Sequence, residues 1–398
     1  MGGMTPVRRS LLSLALGGFG IGTGEFVILG LLPNVASSLH VSIPHAGYLI
    51  SAYALGVVVG APLLTPVSVW VPRRRFLIIA ALGMAGTNIA SALMPNFDTL
   101  VIVRFLSGLP HGAYFGVASV VAGRLVAADR RSSAMAVVFA GLTIANVIGV
   151  PLTTLIGQHF GWRLAFWLVA AIEVGAAFAI FTFVPRAAAD SHDNAEPIRL
   201  THELGAFREK QIWLSLGIAT VGGGALFCTF SYITPMMTHL AGFHESEITP
   251  LLVLFGLGMT GGNLVGAHFA DRSLMRTIYV ALTCESLVAF LFFFAAHDKI
   301  TALFGLFLFP FCALAILPAL QNRIVSLAGG APNLAAASIH AAFNIANSIG
   351  AWVGGAVIAA GLGYSAPNLA AAGIAVMGLA LAIFSGLLER RTRLTRAV

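Results

Sequence analysis

Residues 11–39 read LLSLALGGFGIGTGEFVILGLLPNVASSL, an apolar run interrupted by a single charged residue, Glu25. About 20 apolar residues rising 1.5 Å each cross the ~30 Å hydrocarbon core of a bilayer, so this run is long enough to span one. Glu25 then lies well inside the membrane. An acidic residue at the centre of a spanning helix costs roughly 2.5–3.5 kcal/mol on insertion scales, so it is expected to face protein or a water-filled cavity rather than lipid. The glycines point to protein. Gly18, Gly22 and Leu29 share its helical face, and Gly20 with Gly24 forms a small-xxx-small pair for close helix contact. Two readings of Glu25 stand at this point: a proton or substrate site, or a polar packing residue bonded to a neighbouring helix.

The rest of the chain repeats the pattern. Of its 398 residues 58% are hydrophobic and 9% charged, and its mean hydropathy is +0.92. Soluble domains carry about 25% charged residues, so lipid is the expected surroundings. The net charge of +7 does not indicate nucleic acid, because there are two lysines and the arginines gather at the ends of apolar runs. Arg8 and Arg9 before an apolar run imitate a secretory signal, but the run's length and the many that follow favour a retained first span. Cys228, Cys284 and Cys312 have no CxxC spacing, so neither a disulfide framework nor a metal site is expected.

Hydropathy predicts twelve transmembrane helices, near 11–39, 46–70, 76–94, 98–126, 133–157, 162–184, 213–240, 247–270, 277–296, 300–327, 334–361 and 366–388. Breaks on one side hold Arg8-Arg9, Arg73-Arg74-Arg75, Arg130-Arg131, the stretch from Arg186 to Lys210, Arg272 with Arg276, Arg323 and the tail from Arg390. Those on the other hold Arg163 and Lys299. The positive-inside rule makes both termini cytoplasmic. The longest polar stretch divides the chain into a six-helix bundle over 1–184, a cytoplasmic linker over 185–212, and a second six-helix bundle over 213–398 with a short basic tail. The linker turns amphipathic from Ile198 to Trp213, which fits an interfacial helix or a plain tether.

A repeat supports the division. Ile144-Ala-Asn-Val-Ile-Gly149 recurs as Ile345-Ala-Asn-Ser-Ile-Gly350, 201 positions later, and the same offset pairs Phe26 with Phe227, Leu39 with Leu240, Gly60 with Gly261 and Arg75 with Arg276. Two pseudo-symmetric halves follow. Glu25 falls opposite Leu226 and Arg104 opposite Gly305, so the ionisable chemistry is concentrated in the first half.

Two six-helix halves around a cytoplasmic loop resemble the major facilitator superfamily, and local motifs sharpen the likeness. Arg104 followed by Gly108 and Gly112 resembles the superfamily's fourth-helix motif. Val71-Pro72-Arg73-Arg74-Arg75 keeps only the basic part of the loop motif between spans 2 and 3, whereas Gly266-Ala-His-Phe-Ala-Asp271-Arg272 with Arg276 is the fuller copy in the second half. Gly141 to Pro151 resembles the fifth-helix antiporter motif, with a departure in the order of its glycines and proline. With Gly24-Glu25-Phe26, Gly30-Leu-Leu-Pro33 and Gly157 to Arg163, these segments are similar to the twelve-span drug:H+ antiporter branch, nearest to its sugar-, purine-nucleoside- and chloramphenicol-efflux permeases.

That resemblance implies an integral membrane, all-α transporter of the inner (cytoplasmic) membrane, monomeric, with no cofactor beyond a proton gradient, no metal and no enzymatic activity. It would export small organic molecules, a drug, sugar or nucleoside, as a multidrug-resistance efflux antiporter. A facilitator or proton symporter importing a sugar or nucleoside is the alternative. Glu25 and Arg104 would couple protons, Arg104 otherwise serving to bond backbone carbonyls. Phe26, Tyr53, His111, Tyr114, Phe115, Asn146 and Asn347 are the candidate cavity residues, although His111 and the two asparagines equally suit helix packing. Arg73, Arg74, Arg75, Asp271, Arg272 and Arg276 would set the conformational balance or simply anchor the helix ends, and Gly149 with Pro151 would form a hinge. Glu173, Glu285 and His340 are embedded too, with no motif around them. Gly256-Leu-Gly-Met-Thr-Gly261 matches G-x-G-x-x-G but lies within an apolar helix, which rules out a dinucleotide site.

Overall fold

A computed structural model describes residues 5–64, 70–127, 130–186, 206–328 and 332–396. Among them are twelve helices long and apolar enough to cross a membrane: α1 Pro6–Ser38, α2 Ile43–Leu64, α3 Arg73–Leu93, α4 Phe97–Arg124, α5 Ser133–Phe160, α6 Trp162–Phe183, α7 Lys210–His239, α8 Glu245–Ala270, α9 Leu274–Ala295, α10 Lys299–Leu327, α11 Ser338–Ala359 and α12 Ala366–Arg390. They form two six-helix bundles, each of which packs within itself. The part of the expected interfacial helix up to residue 205 lies outside the described residues. Beyond it a short turn, Ala206–Arg208, leads into α7, and the Trp213 indole donates to the Phe207 carbonyl at 2.8 Å.

Helix ends extend past the apolar runs wherever polar residues finish the turn. α1 starts at Pro6, because proline suits the first helical position and Arg8 and Arg9 tolerate the extra turn. α7 starts at Lys210 behind Glu209, whose carboxylate accepts from the Gln211 N–H at 3.3 Å. Hydropathy weighs neither effect. The Asn96 side chain caps α4 through the Thr99 N–H at 3.0 Å, and Asp298 caps α10.

α1 and α7 are the inner helices of their bundles. Within the membrane-length window 89% of α1 and 72% of α7 is buried, against 33–50% for the others, which expose large apolar side chains as lipid-facing helices do. Their glycines allow this centrality, since lipid offers no hydrophobic drive between helices and close packing must supply the attraction. In the first bundle Gly22 packs on Ala145 and Gly149 on Thr23; in the second Gly223 packs on Ala346 and Gly350 on Gly224. Both pairs keep the 201-residue offset.

The seam between α2 and α4 repeats differently. Gly56 and Gly60 sit against the Phe105 and Leu109 backbone, and their counterparts are Gly258 and Gly262 against Phe307 and Phe311. The offset here is 202, so the structural partner of Gly60 is Gly262 and not Gly261. The extra residue falls between Gly224 and Gly258, a stretch in which the two halves also differ in helix continuity. α7 breaks at Ser231 and Tyr232 before restarting at Ile233–His239, whereas α1 is continuous over the equivalent stretch.

The repeated hexapeptide also adopts two conformations. Residues Ala145–Gly149 form a widened π turn, with the Val150 N–H reaching the Ala145 carbonyl, while Ile345–Gly350 stays α-helical within α11. Pro151 follows the first copy and Trp352 stands at the matching position of the second. Proline has no N–H and its ring crowds the carbonyl four residues back, and an added residue in the preceding turn relieves that crowding.

Candidate functional site

Glu25 lies on α1 in the first bundle, with its side chain buried. Its Oε2 is 4.0 Å from His111 Nδ1 on α4, and the same nitrogen is 3.2 Å from the Tyr53 hydroxyl on α2. Which of these two atoms carries the shared proton depends on the histidine tautomer. A carboxyl, an imidazole and a phenol from three helices thus meet in one cluster. Glycine backbones make it possible: Gly56 and Gly108 bring α2 and α4 into backbone contact one helical turn from Tyr53 and His111.

Arg104 is fully buried. Its Nη1 donates to the Gly24 carbonyl at 2.9 Å and its Nη2 to the Glu25 carbonyl at 3.1 Å. The guanidinium also lies over the Tyr53 ring, 4.5 Å from its centroid, and 5.7 Å from that of Phe166 on α6. The planar fork suits two neighbouring carbonyls, and its faces suit the aromatic rings, where a lysine would match neither. The positive charge therefore grips the backbone that carries Glu25.

The other candidates divide. Phe115 sits 5.4 Å from His111, centroid to centroid, and stacks on Phe139 at 5.0 Å, so it borders the cluster. Phe26 is buried next to Glu25 in sequence. Tyr114 is turned elsewhere: it is fully buried in the bundle core against Gly17, and its hydroxyl donates to the Leu14 carbonyl at 3.0 Å. Asn146 is buried in the π turn with its amide bonded to the Leu142 carbonyl at 3.1 Å, beside Gly149 and Pro151. Asn347 is buried in α11 of the second bundle.

The basic loop residues separate too. Arg74 is buried and donates to the Phe181 carbonyl on α6, with its guanidinium 5.1 Å from the Phe181 ring, whereas Arg75 is exposed. Asp271, Arg272 and Arg276 are exposed, and Asp271 makes no ion pair among the described residues. No group of three or more potential metal ligands occurs among the described residues.

The spacing of motifs did not point to Glu173 or Asn88. Glu173 on α6 is buried, and its Oε2 accepts from Asn88 Nδ2 on α3 at 2.9 Å. Both lie against Gly24, where an added Cβ would stand 3.5 Å from Asn88 Nδ2 and 3.7 Å from Glu173 Oε1. The legible signal was the small-xxx-small pair, since Gly20 likewise makes room for the Glu173 Cγ.

A family model described as Major Facilitator Superfamily matches residues 14–354. The chain is 38% identical over 379 residues to the inner membrane transport protein YdhP of Escherichia coli (strain K12), covering 95% of this chain and 96% of that protein. It is 34% identical over 365 residues to a chloramphenicol resistance protein of Streptomyces lividans, covering 92% and 91%. Among solved structures, a bacterial homolog of the human lysosomal transporter Spinster superposes with a TM-score of 0.75 over 96% of both chains at 15% identity, a likeness of fold alone.

Proposed function

We propose proton-driven export for this chain, which belongs to the Major Facilitator Superfamily and is a secondary transporter of small organic molecules rather than an enzyme. The observation that carries the proposal is the buried Glu25 carboxyl facing His111 and Tyr53, with Arg104 bound to the two carbonyls of the same helical turn. A carboxyl held there can take a proton or engage a polar cargo group, but not both with the same strength. Competition between the two needs no covalent step. Protonation changes the charge of the site, and with it the relative stability of the two openings of the transporter.

In this cycle the bundles of residues 1–184 and 213–398, joined by the 185–212 linker, expose the site to each side of the membrane in turn, as alternating access requires. Phe26, Tyr53, Phe115 and the two asparagines supply apolar and amide surface to a drug, sugar or nucleoside. The π turn before Pro151 and its contact with Thr23 give α5 a place to flex against α1. Residence in the inner membrane and an export direction draw on the relatives' names, inner membrane transport protein and chloramphenicol resistance protein. The arginine distribution supports an orientation with both termini in the cytoplasm.

The test begins with a compound-sensitivity screen in an efflux-deficient host, chloramphenicol included, and proceeds to the purified protein in vesicles with an imposed pH gradient. An acidic exterior should expel each hit, and Glu25→Gln should insert normally yet lose that response. Uphill export by Glu25→Gln would make Glu25 a structural residue. Accumulation of the compound under the same gradient would reverse the direction to import.

A further inference from the structure

We infer that Glu173 is a second proton-binding carboxyl, coupled to Glu25 through Gly24 and Arg104; this rests on the proton-driven reading above and extends it by one residue. Glu173 sits at the middle of α6, fully enclosed between α1 and α3. α1 gives up side chains to accommodate it. A Cβ on Gly20 would stand 2.9 Å from the Glu173 Cγ, closer than real Cβ atoms come, and one on Gly24 would stand 3.7 Å from Oε1. A carboxyl used merely as filler would be the costliest choice for such a niche, where an apolar side chain would suffice.

The partner is suited to both states of the acid. Asn88 is buried and donates from Nδ2 to Glu173 Oε2 at 2.9 Å and to the Met84 carbonyl at 3.1 Å, while its Oδ1 has no hydrogen-bond partner among the described residues. The NH2 group serves an ionised carboxylate. Turned over, the same amide offers its oxygen to the O–H of a carboxylic acid, at the cost of its bond to the Met84 carbonyl. Neutral and charged Glu173 are therefore each supplied with a bond.

Charge links the two acids. Gly24 is the partition between them: its carbonyl takes the Arg104 Nη1, and its missing side chain leaves room for Val169, Asn88 and Glu173. The titratable and charged groups around this turn are Glu25 on α1, Tyr53 on α2, and Arg104 and His111 on α4, with α3 contributing the neutral Asn88. Arg163, near the start of α6, lies ten residues from Glu173, about 15 Å of helix, and His159 lies on α5 beyond the Gly161 break. One guanidinium is thus bound to the turn of α1 that carries Glu25 and packs beside Glu173. With one proton on the pair the set is neutral; with none it carries −1, with two +1. Away from water the neutral set costs least, so a proton leaving Glu25 favours one arriving on Glu173, and the two titrate as a pair.

The proton itself is the probe. In the full-length protein in lipid nanodiscs, infrared difference spectra of the carboxylic acid C=O stretch are recorded as pH is stepped, with no cargo present. Glu25→Gln should retain a titrating carboxyl band that Glu25→Gln/Glu173→Gln lacks, and Glu173→Gln should shift the titration of the remaining band by about one pH unit or more. Asn88→Ala keeps both carboxyls and should also shift the pair, which covers the case in which Glu173→Gln does not fold. Titration unchanged by both Glu173→Gln and Asn88→Ala would overturn the inference. That failure is distinct from failure of the export reading, which is decided by whether Glu25→Gln abolishes proton-driven efflux.

Discussion

Gly56→Ala is expected to damage the first bundle out of proportion to the one carbon it adds. The Cβ would point at the Phe105 carbonyl, with the Gly108 backbone also adjoining, and neither can rotate away as a side-chain end would. Relief requires α2 and α4 to part by on the order of 1 Å, and overpacking of this kind costs about 1–3 kcal/mol. The separation also stretches the 3.2 Å contact between the Tyr53 hydroxyl and His111 Nδ1, one turn away on the same pair of helices, worth about 1 kcal/mol more. A total near 2–4 kcal/mol follows. The control is the same substitution on α3: Gly83 is exposed and an added Cβ there meets nothing within 4 Å, so Gly83→Ala should be neutral or stabilising by about 0.5–1 kcal/mol from helix propensity. Thermal unfolding of the purified proteins in one detergent, followed by a thiol-reactive dye, compares them directly. If Gly56→Ala melts with the wild type, or Gly83→Ala falls by as much, then backbone contact does not set the α2–α4 spacing and the positions of Tyr53 and His111 have another cause.

Arg323 should be the corresponding fixed point of the second bundle. Its Nη2 donates to Gln211 Oε1 at 3.0 Å, Ser385 Oγ at 3.2 Å and Glu389 Oε2 at 3.0 Å, and its Nε to Ser215 Oγ at 3.2 Å, which ties α10 to α7 and α12. Arg323→Ala should cost about 3–5 kcal/mol because it strands buried polar partners, whereas Glu389→Gln, at the partly exposed edge, should cost less than about 1 kcal/mol in the same melting assay. Equal effects would refute the clasp. Asp298 gives a pH prediction. The Thr301 N–H first, then the Ile300 N–H and the Thr301 hydroxyl, hold its carboxyl below the ordinary carboxylate value. Its capping contribution is therefore present above the unfolded-state value and lost as pH falls through the lowered folded one. Amide exchange in the first turn of α10 should accelerate across that acid range, and Asp298→Asn should lack the pH dependence.

The order and number of helices were legible in the chain because bilayer thickness imposes a length and hydropathy reads it. Glu25 was legible for the same reason: a charge in a long apolar run is conspicuous. Arg104 was legible as a residue, and backbone carbonyls were one of the two roles open to it, but which carbonyls it would hold was not. It grips the Gly24 and Glu25 carbonyls, which no spacing of charged residues could reveal, since backbone acceptors are present at every position. Tyr114 and Tyr53 look alike as aromatics in spanning helices. Only helix rotation puts one in the core against Gly17 and the other beside His111.

The chain by itself determined the membrane class, the twelve spans, the duplication and the lack of charged counterparts to Glu25 and Arg104 in the second half, all properties of composition and period along one dimension. Tertiary structure alone decided the one-residue slip that makes Gly262 the partner of Gly60, the π turn in one copy of a shared hexapeptide, and the meeting of Glu173 with Gly24. Each depends on which backbone approaches which across helices far apart in sequence, and in lipid that approach is governed by the fit of small residues and buried polar groups rather than by hydropathy.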